Sequence, residues 1–148
     1  MKVISFRFYT VEVDDANEAF PRGRKVARPQ VPFRLTYKGR RTPAMLGIID
    51  SGADECIFDT SLADVLGIDL EHCPESKFHS ASSGLATVRY CKVTLEIGTE
   101  KGPEVGYDIT AGFSKLPAVG LLGQCGFFDR FVVTVNQSAG LGTLRYLG

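Results

Sequence analysis

The stretch Leu46-Gly47-Ile48-Ile49-Asp50-Ser51-Gly52-Ala53-Asp54 decides how the rest of the chain is read. An apolar run delivers a carboxylate into a tight turn made by a small hydroxyl residue and a glycine. A lone carboxylate is costly to bury, so an aspartate at a strand end ordinarily caps a turn or meets a charge. The tripeptide Asp-Ser-Gly also makes ordinary turns. Its setting, after Gly47-Ile48-Ile49 and before Ala53-Asp54, makes Asp50 the leading candidate for chemistry.

A second informative stretch runs from Ala118 to Phe128, with Val119-Gly120-Leu121-Leu122-Gly123 at its centre. Here another apolar strand ends at a glycine, passes into a short helical turn at 127–131 and continues as a strand over 131–135. Between the two stretches, 78–90 carries small residues, Ser82, Ser83 and Gly84 among them, flanked by β-formers. That pattern predicts a hairpin with a mobile tip.

Elsewhere the pattern is that of short strands. Ile4, Phe6 and Phe8 alternate with polar residues, as do Val31, Phe33, Leu35 and Tyr37, and again Val93, Leu95 and Ile97. Such period-two stripes bury one face of a strand. The runs 45–49 and 119–122 are apolar throughout and read as strands buried on both sides. One helix is predicted over 61–66, with Asp59 or Thr60 as its cap and Gly67 closing it. Many short strands with one or two short helices predict an all-β, closed or sandwiched fold.

Composition narrows the function classes. The chain has 148 residues, 44% hydrophobic and 23% charged, which suits one domain with its own core. Seventeen basic and 17 acidic residues cancel, so no long-range field favours nucleic acid or anionic lipid as a partner. The apolar runs fall short of the ~20 residues of a membrane helix. The opening residues alternate apolar and polar and contain Arg7, unlike a signal peptide, and a cytoplasmic location is expected. Cys56, Cys73, Cys91 and Cys125 show no paired spacing and read as free thiols. His72, Cys73 and His79 do not supply four convergent ligands, so neither metal nor cofactor is expected. The charged segment 14–30 reads as an exposed loop or a hairpin excursion.

The order of strand with Asp50-Ser51-Gly52-Ala53, helix, small-residue hairpin, then Leu121-Leu122-Gly123 before a turn resembles the retropepsins, the single-domain aspartic proteases of retroviruses and their cellular relatives. The wording Leu-Leu-Gly-x-x-Gly-Phe-Phe is closest to bacterial-type members. The resemblance spans about residues 31–147. It implies a closed barrel-like acid-protease fold, with the protease domain at 31–148 and an N-terminal strand and charged loop at 1–30, all within one structural domain.

The resemblance also implies a mechanism. Pepsin-like chains hold two such triplets in a much longer sequence, whereas this one holds a single triplet. The second Asp50 would come from a two-fold related copy, making a homodimer a chemical requirement. Two carboxylates about 3 Å apart cannot both ionise, so the pair shares one proton. The ionised member would activate a water for attack on a peptide carbonyl, and the protonated member would hold the carbonyl oxygen. By the same likeness Ser51 braces the active-site loops and Gly52 lets the backbone approach the substrate. Ala53, Asp54, Ser82, Ser83, Gly84 and Leu122 belong to substrate binding, with Ser82 to Gly84 as the flap tip and Leu122 packing under Asp50. Gln124 stands where viral members carry an arginine paired with the acid matched by Asp54. A neutral amide there is expected to bond Asp54 instead.

The leading expectation is therefore an aspartic endopeptidase acting on a peptide or protein substrate. The alternative is a non-catalytic peptide- or protein-binding module on the same fold. A thiol nucleophile at Cys56 or Cys125 is disfavoured by the lack of a base beyond His72 and His79. The terminal strands, 4–11 and 143–147, are expected to pair between subunits.

Overall fold

Val31, Phe33 and Leu35 lie fully buried along β4 (Gln30–Tyr37), the strand around which the barrel closes. In the computed structural model, residues 2–80, 84–115 and 118–148 are described. Among them the chain forms 13 strands, one α-helix and one 3-10 turn. The expected all-β architecture with one or two short helices is what the chain adopts.

The strands are β1 (Val3–Arg7), β2 (Tyr9–Asp14), β3 (Arg24–Arg28), β4, β5 (Arg40–Arg41), β6 (Met45–Ile49), β7 (Ile57–Asp59), β8 (Glu75–Ser80), β9 (Gly84–Thr99), β10 (Gly102–Ser114), β11 (Gly120–Leu122), β12 (Phe131–Asn136) and β13 (Leu141–Tyr146). The main sheet runs β5-β4-β6-β11-β7-β10-β9-β8, and an additional β4–β9 pairing closes six of these strands into a barrel. Closure removes the free edges that an open sheet would expose. Two pairings are parallel, β6 with β11 and β7 with β10. The two apolar runs of the sequence are thereby laid side by side at the barrel's centre.

The interior is aromatic. Phe33, Phe58 and Phe113 stack in sequence, with ring centroids 5.2 and 6.2 Å apart. A second group joins Phe127, Phe131, Tyr107 and Tyr146 under the terminal sheet. Offset and tilted pairs of this kind add to the stabilisation from burial alone.

The helix α1 (Thr60–Leu66) follows its sequence signals. Asp59 caps it by accepting from the Ser61 N–H, and Gly67 closes it at φ 70°, a left-handed conformation that glycine adopts without strain. The expected turn at 127–131 is present as one turn only. Arg130 and Phe131 N–H both donate to the Phe127 carbonyl, at 2.9 and 3.1 Å, closing a single turn over 127–131. Phe128 and Asp129 N–H reach the Gly123 and Gln124 carbonyls five residues back at 3.1 Å, so the turn is not extended into a helix. Gly126, at φ 100°, immediately precedes it.

The charged segment 14–30 is a hairpin excursion, β2 pairing antiparallel with β3. Asp14 and Arg24 form an ion pair at the loop end of this ladder. Of the terminal strands, expected to pair between subunits, β1 is paired within the chain on one side and β13 on both. β1 pairs with β13 within the chain, and β13 pairs on its other side with β12. Both hydrogen-bonding edges of β13 are thus used internally. No helix among the described residues is long and apolar enough to cross a membrane.

Candidate active site

Asp50 emerges where β6 ends beside β11. Ile49 is in register with Leu122, and the Asp50 N–H donates to the Leu122 carbonyl at 3.0 Å. Three hydrogen bonds then fold the loop back. The Gly52 N–H donates to Asp50 Oδ1 at 2.9 Å, the Ala53 N–H to the Asp50 carbonyl at 3.1 Å, and the Gln124 N–H to the Ala53 carbonyl at 2.9 Å. The first is an Asx-type turn, for which aspartate followed by glycine is well suited. It uses one carboxylate oxygen. Among the described residues Oδ2 has no hydrogen-bond partner.

Glycine at 123 is a requirement of this packing. A Cβ there would lie 2.3 Å from the Glu55 carbonyl oxygen and 2.6 Å from that of Ala53. Real Cβ atoms do not approach backbone oxygens so closely. Gly52 is likewise crowded, since a Cβ would stand 3.1 Å from Asp50 Oδ1. An apolar strand, an exposed acidic loop and a second glycine-ended strand therefore meet at one carboxylate.

A structural comparison finds this arrangement's fold in a retropepsin-like aspartic protease from Rickettsia conorii, with a TM-score of 0.59 over 97% of this chain and 99% of that one, at 15% sequence identity. This chain has the retropepsin-like fold. No family model and no curated protein matches the sequence. A likeness at that identity concerns the path of the backbone, so residue roles rest on the geometry of this chain.

Within the retropepsin-like fold, the sequence-predicted site residues divide into groups. Asp50, Ser51, Gly52, Ala53 and Asp54 share the loop after β6, with Asp50 and Ala53 half-buried and Ser51, Gly52 and Asp54 exposed. Leu122 is fully buried. It packs below the loop, with its carbonyl accepting from the Asp50 N–H. Gly84 is exposed and opens β9 at φ 74°, in register with Ser80 of β8. Ser82 and Ser83 lie outside the described residues.

Gln124 takes a different partner from the one expected. Its Nε2 donates to the Ser51 carbonyl at 2.9 Å and does not reach the Asp54 carboxylate. The Asp54 backbone is held instead, its carbonyl accepting from the Cys125 N–H at 2.9 Å. An arginine fork would match a carboxylate, whereas an amide can pair with a lone carbonyl.

One contact escaped the sequence reading. Tyr90, on β9, donates its hydroxyl to Glu55 Oε1 at 2.5 Å, tying the hairpin strand to the loop after Asp54. Burial, then the hydrogen bond to Glu55 and its negative charge, push the Tyr90 phenol up to about 12. No local pattern signals a pair 35 positions apart. Cys56 is buried, and burial pushes its thiol up to about 12, partly offset by a backbone hydrogen bond from Gly123. A thiol so disfavoured as thiolate is a poor nucleophile. Among the described residues no cluster of histidine, cysteine and carboxylate side chains could hold a metal ion. His72 Nδ1 instead meets Asp69 Oδ2 at 2.5 Å on the surface. An open groove of about 540 Å³, lined by Arg7, Tyr9, Gln30, Thr99 and Glu104, contains none of the predicted site residues.

Proposed function

We propose that this chain is an aspartic endopeptidase, active as a homodimer in which the Asp50 of each copy contributes one carboxylate to a shared site. The observation that carries the reading is the setting of Asp50. It is held by its backbone to Leu122 and by Oδ1 to the Gly52 N–H, with Oδ2 unbonded among the described residues. A carboxylate fixed at one oxygen and open at the other can pair with its symmetry mate around a water molecule. The fold shared with a protein described as an aspartic protease supports the same conclusion.

On this reading the ionised aspartate takes a proton from the bound water as the water attacks the peptide carbonyl. The protonated aspartate donates to the carbonyl oxygen and stabilises its developing charge. No covalent intermediate forms. Ser51 braces the loop, with its carbonyl anchored by Gln124, and Gly52 presents backbone to the substrate. Ala53 and Asp54 line the approach. The hairpin of β8 and β9 covers the substrate and excludes water, with Ser82, Ser83 and Gly84 assigned to substrate binding. Residues 31–148 form the protease domain, with 1–30 attached through the β1–β13 pairing.

The test uses the full chain, an unstructured protein substrate and mass spectrometry of the products. Asp50→Asn should keep the parental melting temperature and solution mass while cleavage falls by about 10³-fold or more, the share expected of a lost proton-transfer group. Sedimentation should give a dimer at the concentrations where cleavage is seen. An Asn variant cutting at the parental rate, or full activity from a strict monomer, refutes the proposal. A dimer that binds peptides without cutting them would establish a binding module.

A further inference from the structure

Two half-buried cysteines outside the Asp50 loop face one another across the base of the β8–β9 hairpin. In that hairpin Glu75 pairs with Arg89, Ser76 with Val88 and so on to Ser80 with Gly84. The ladder continues backwards, because the Tyr90 N–H donates to the Pro74 carbonyl at 2.9 Å. The next position opposes Cys73 to Cys91. Cys73 has the extended conformation this requires, φ −92° and ψ 147°. Arg89 Nη1 donates to the Cys73 carbonyl at 3.0 Å and holds the segment against β9.

The parity of the ladder matters. Pro74 and Tyr90 form a hydrogen-bonded pair, so Cys73 and Cys91 occupy the adjacent non-hydrogen-bonded site. Opposed Cα atoms at such sites are about 4.5 Å apart, with side chains directed toward each other. A disulfide spans Cα separations from about 4.4 Å upward. Burial, then the neighbouring Cys73 thiol, raises the Cys91 thiol above its ordinary value, in keeping with the ladder geometry. Both thiols are half-buried, whereas Cys56 is buried in the core and Cys125 is exposed.

We infer that Cys73 and Cys91 form a reversible cross-strand disulfide, a redox modification site that covalently closes the base of the hairpin. The oxidant is a peroxide. One thiolate attacks a peroxide oxygen, an S–O bond forms and the O–O bond breaks, and the departing hydroxide takes up a proton as water. The second thiolate attacks the resulting sulfenic sulfur, the S–S bond forms, and hydroxide leaves. Two thiols and hydrogen peroxide give one disulfide and two waters. A dithiol reductant reverses the exchange. The site does not depend on peptide hydrolysis. It acts on the hairpin by enclosing residues 73–91 in a covalent ring, which restricts how far β8 and β9 separate.

The full chain is treated with stoichiometric hydrogen peroxide and analysed by intact mass and non-reducing peptide mapping. The expected product is a monomeric chain lighter by about two mass units, with the Cys73 and Cys91 peptides linked. Its melting temperature should rise by about 8 °C, from the entropy lost by an unfolded ring of this length, and fall back on reduction. Cys125→Ser should oxidise as the parent does, and Cys73→Ser and Cys91→Ser should not form the link. Linkage through Cys125, persistence of both thiols as alkylatable groups, or an oxidised form melting no higher than the reduced one overturns the assignment.

Discussion

Replacing Gly123 by alanine should destabilise the protein sharply, although only one methyl group is added. The new Cβ would sit 2.3 Å from the Glu55 carbonyl oxygen and 2.6 Å from the Ala53 oxygen. These are backbone atoms and cannot rotate away. The loop 53–55 must move, and the Ala53 carbonyl is the acceptor of the Gln124 N–H. Overpacking of this kind costs about 1–3 kcal/mol, and weakening the hydrogen bond adds about 1 kcal/mol. A total near 3 kcal/mol lowers the melting temperature of a chain this size by roughly 10 °C. Gly106→Ala is the control. Gly106 is exposed, and the nearest atom to its Cβ position is Glu96 Cγ at 3.5 Å, so alanine there should be neutral or stabilise by up to about 1 kcal/mol. Thermal and urea unfolding of both variants provide the measurement. If Gly123→Ala melts within about 1 °C of the parent, the close crossing of β11 under the Asp50 loop is wrong, and with it the argument for how Asp50 is held.

Two further outcomes are expected. Gln124→Ala removes the 2.9 Å bond to the Ser51 carbonyl at an exposed site, costing about 0.5–1 kcal/mol. Its effect should fall on kcat more than on KM, because the carbonyl lies in the loop that orients Asp50; equal kinetics in variant and parent would refute that role. At alkaline pH, Cys56 and Tyr90 are both raised to about 12, and Tyr107 is raised by burial. Each binds its proton more tightly folded than unfolded, so stability is complete below about pH 9 and declines as pH rises toward 12. Urea midpoints measured at pH 8, 9.5 and 11 should decrease in that order, and a flat series would contradict it.

Much of the fold was legible locally. The stripe Val31, Phe33, Leu35 became the buried face of β4, and Asp59 and Gly67 bounded α1 because capping is a near-neighbour effect. What escaped was decided by distant partners. The stripe at Val93, Leu95 and Ile97 is the buried end of a 16-residue strand whose other end loses its alternation as it leaves the barrel. The terminal strands carried the right pattern, but nothing local said that they would pair with each other. The packing of Leu122 under Asp50, by contrast, was legible because an apolar strand ending at glycine has to bury its last side chain, and Leu122 is completely buried. Gln124 was paired with the nearest acid in a family pattern, while the geometry offered it a backbone oxygen.

The candidate site also shows why so little regular structure suffices to place it. β11 has three residues and contacts β6 through only two registered pairs, Leu121 with Ile48 and Leu122 with Ile49. Hydrogen bonds in so short a ladder contribute about 1 kcal/mol each and could not hold a loop against solvent by themselves. The position is set by packing. Gly47 brings β6 against Leu122 and Phe33, where a Cβ would already stand at 3.0 Å, and Gly120 brings β11 onto Phe58, where a Cβ would stand at 2.7 Å. Side-chain bulk is thus moved out of the backbone crossing and into the aromatic core below. The carboxylate at the end of β6 inherits the rigidity of that core through a fully buried Leu122. Substitutions in the Phe33–Phe58 pair should therefore disturb Asp50 as surely as changes in its own loop.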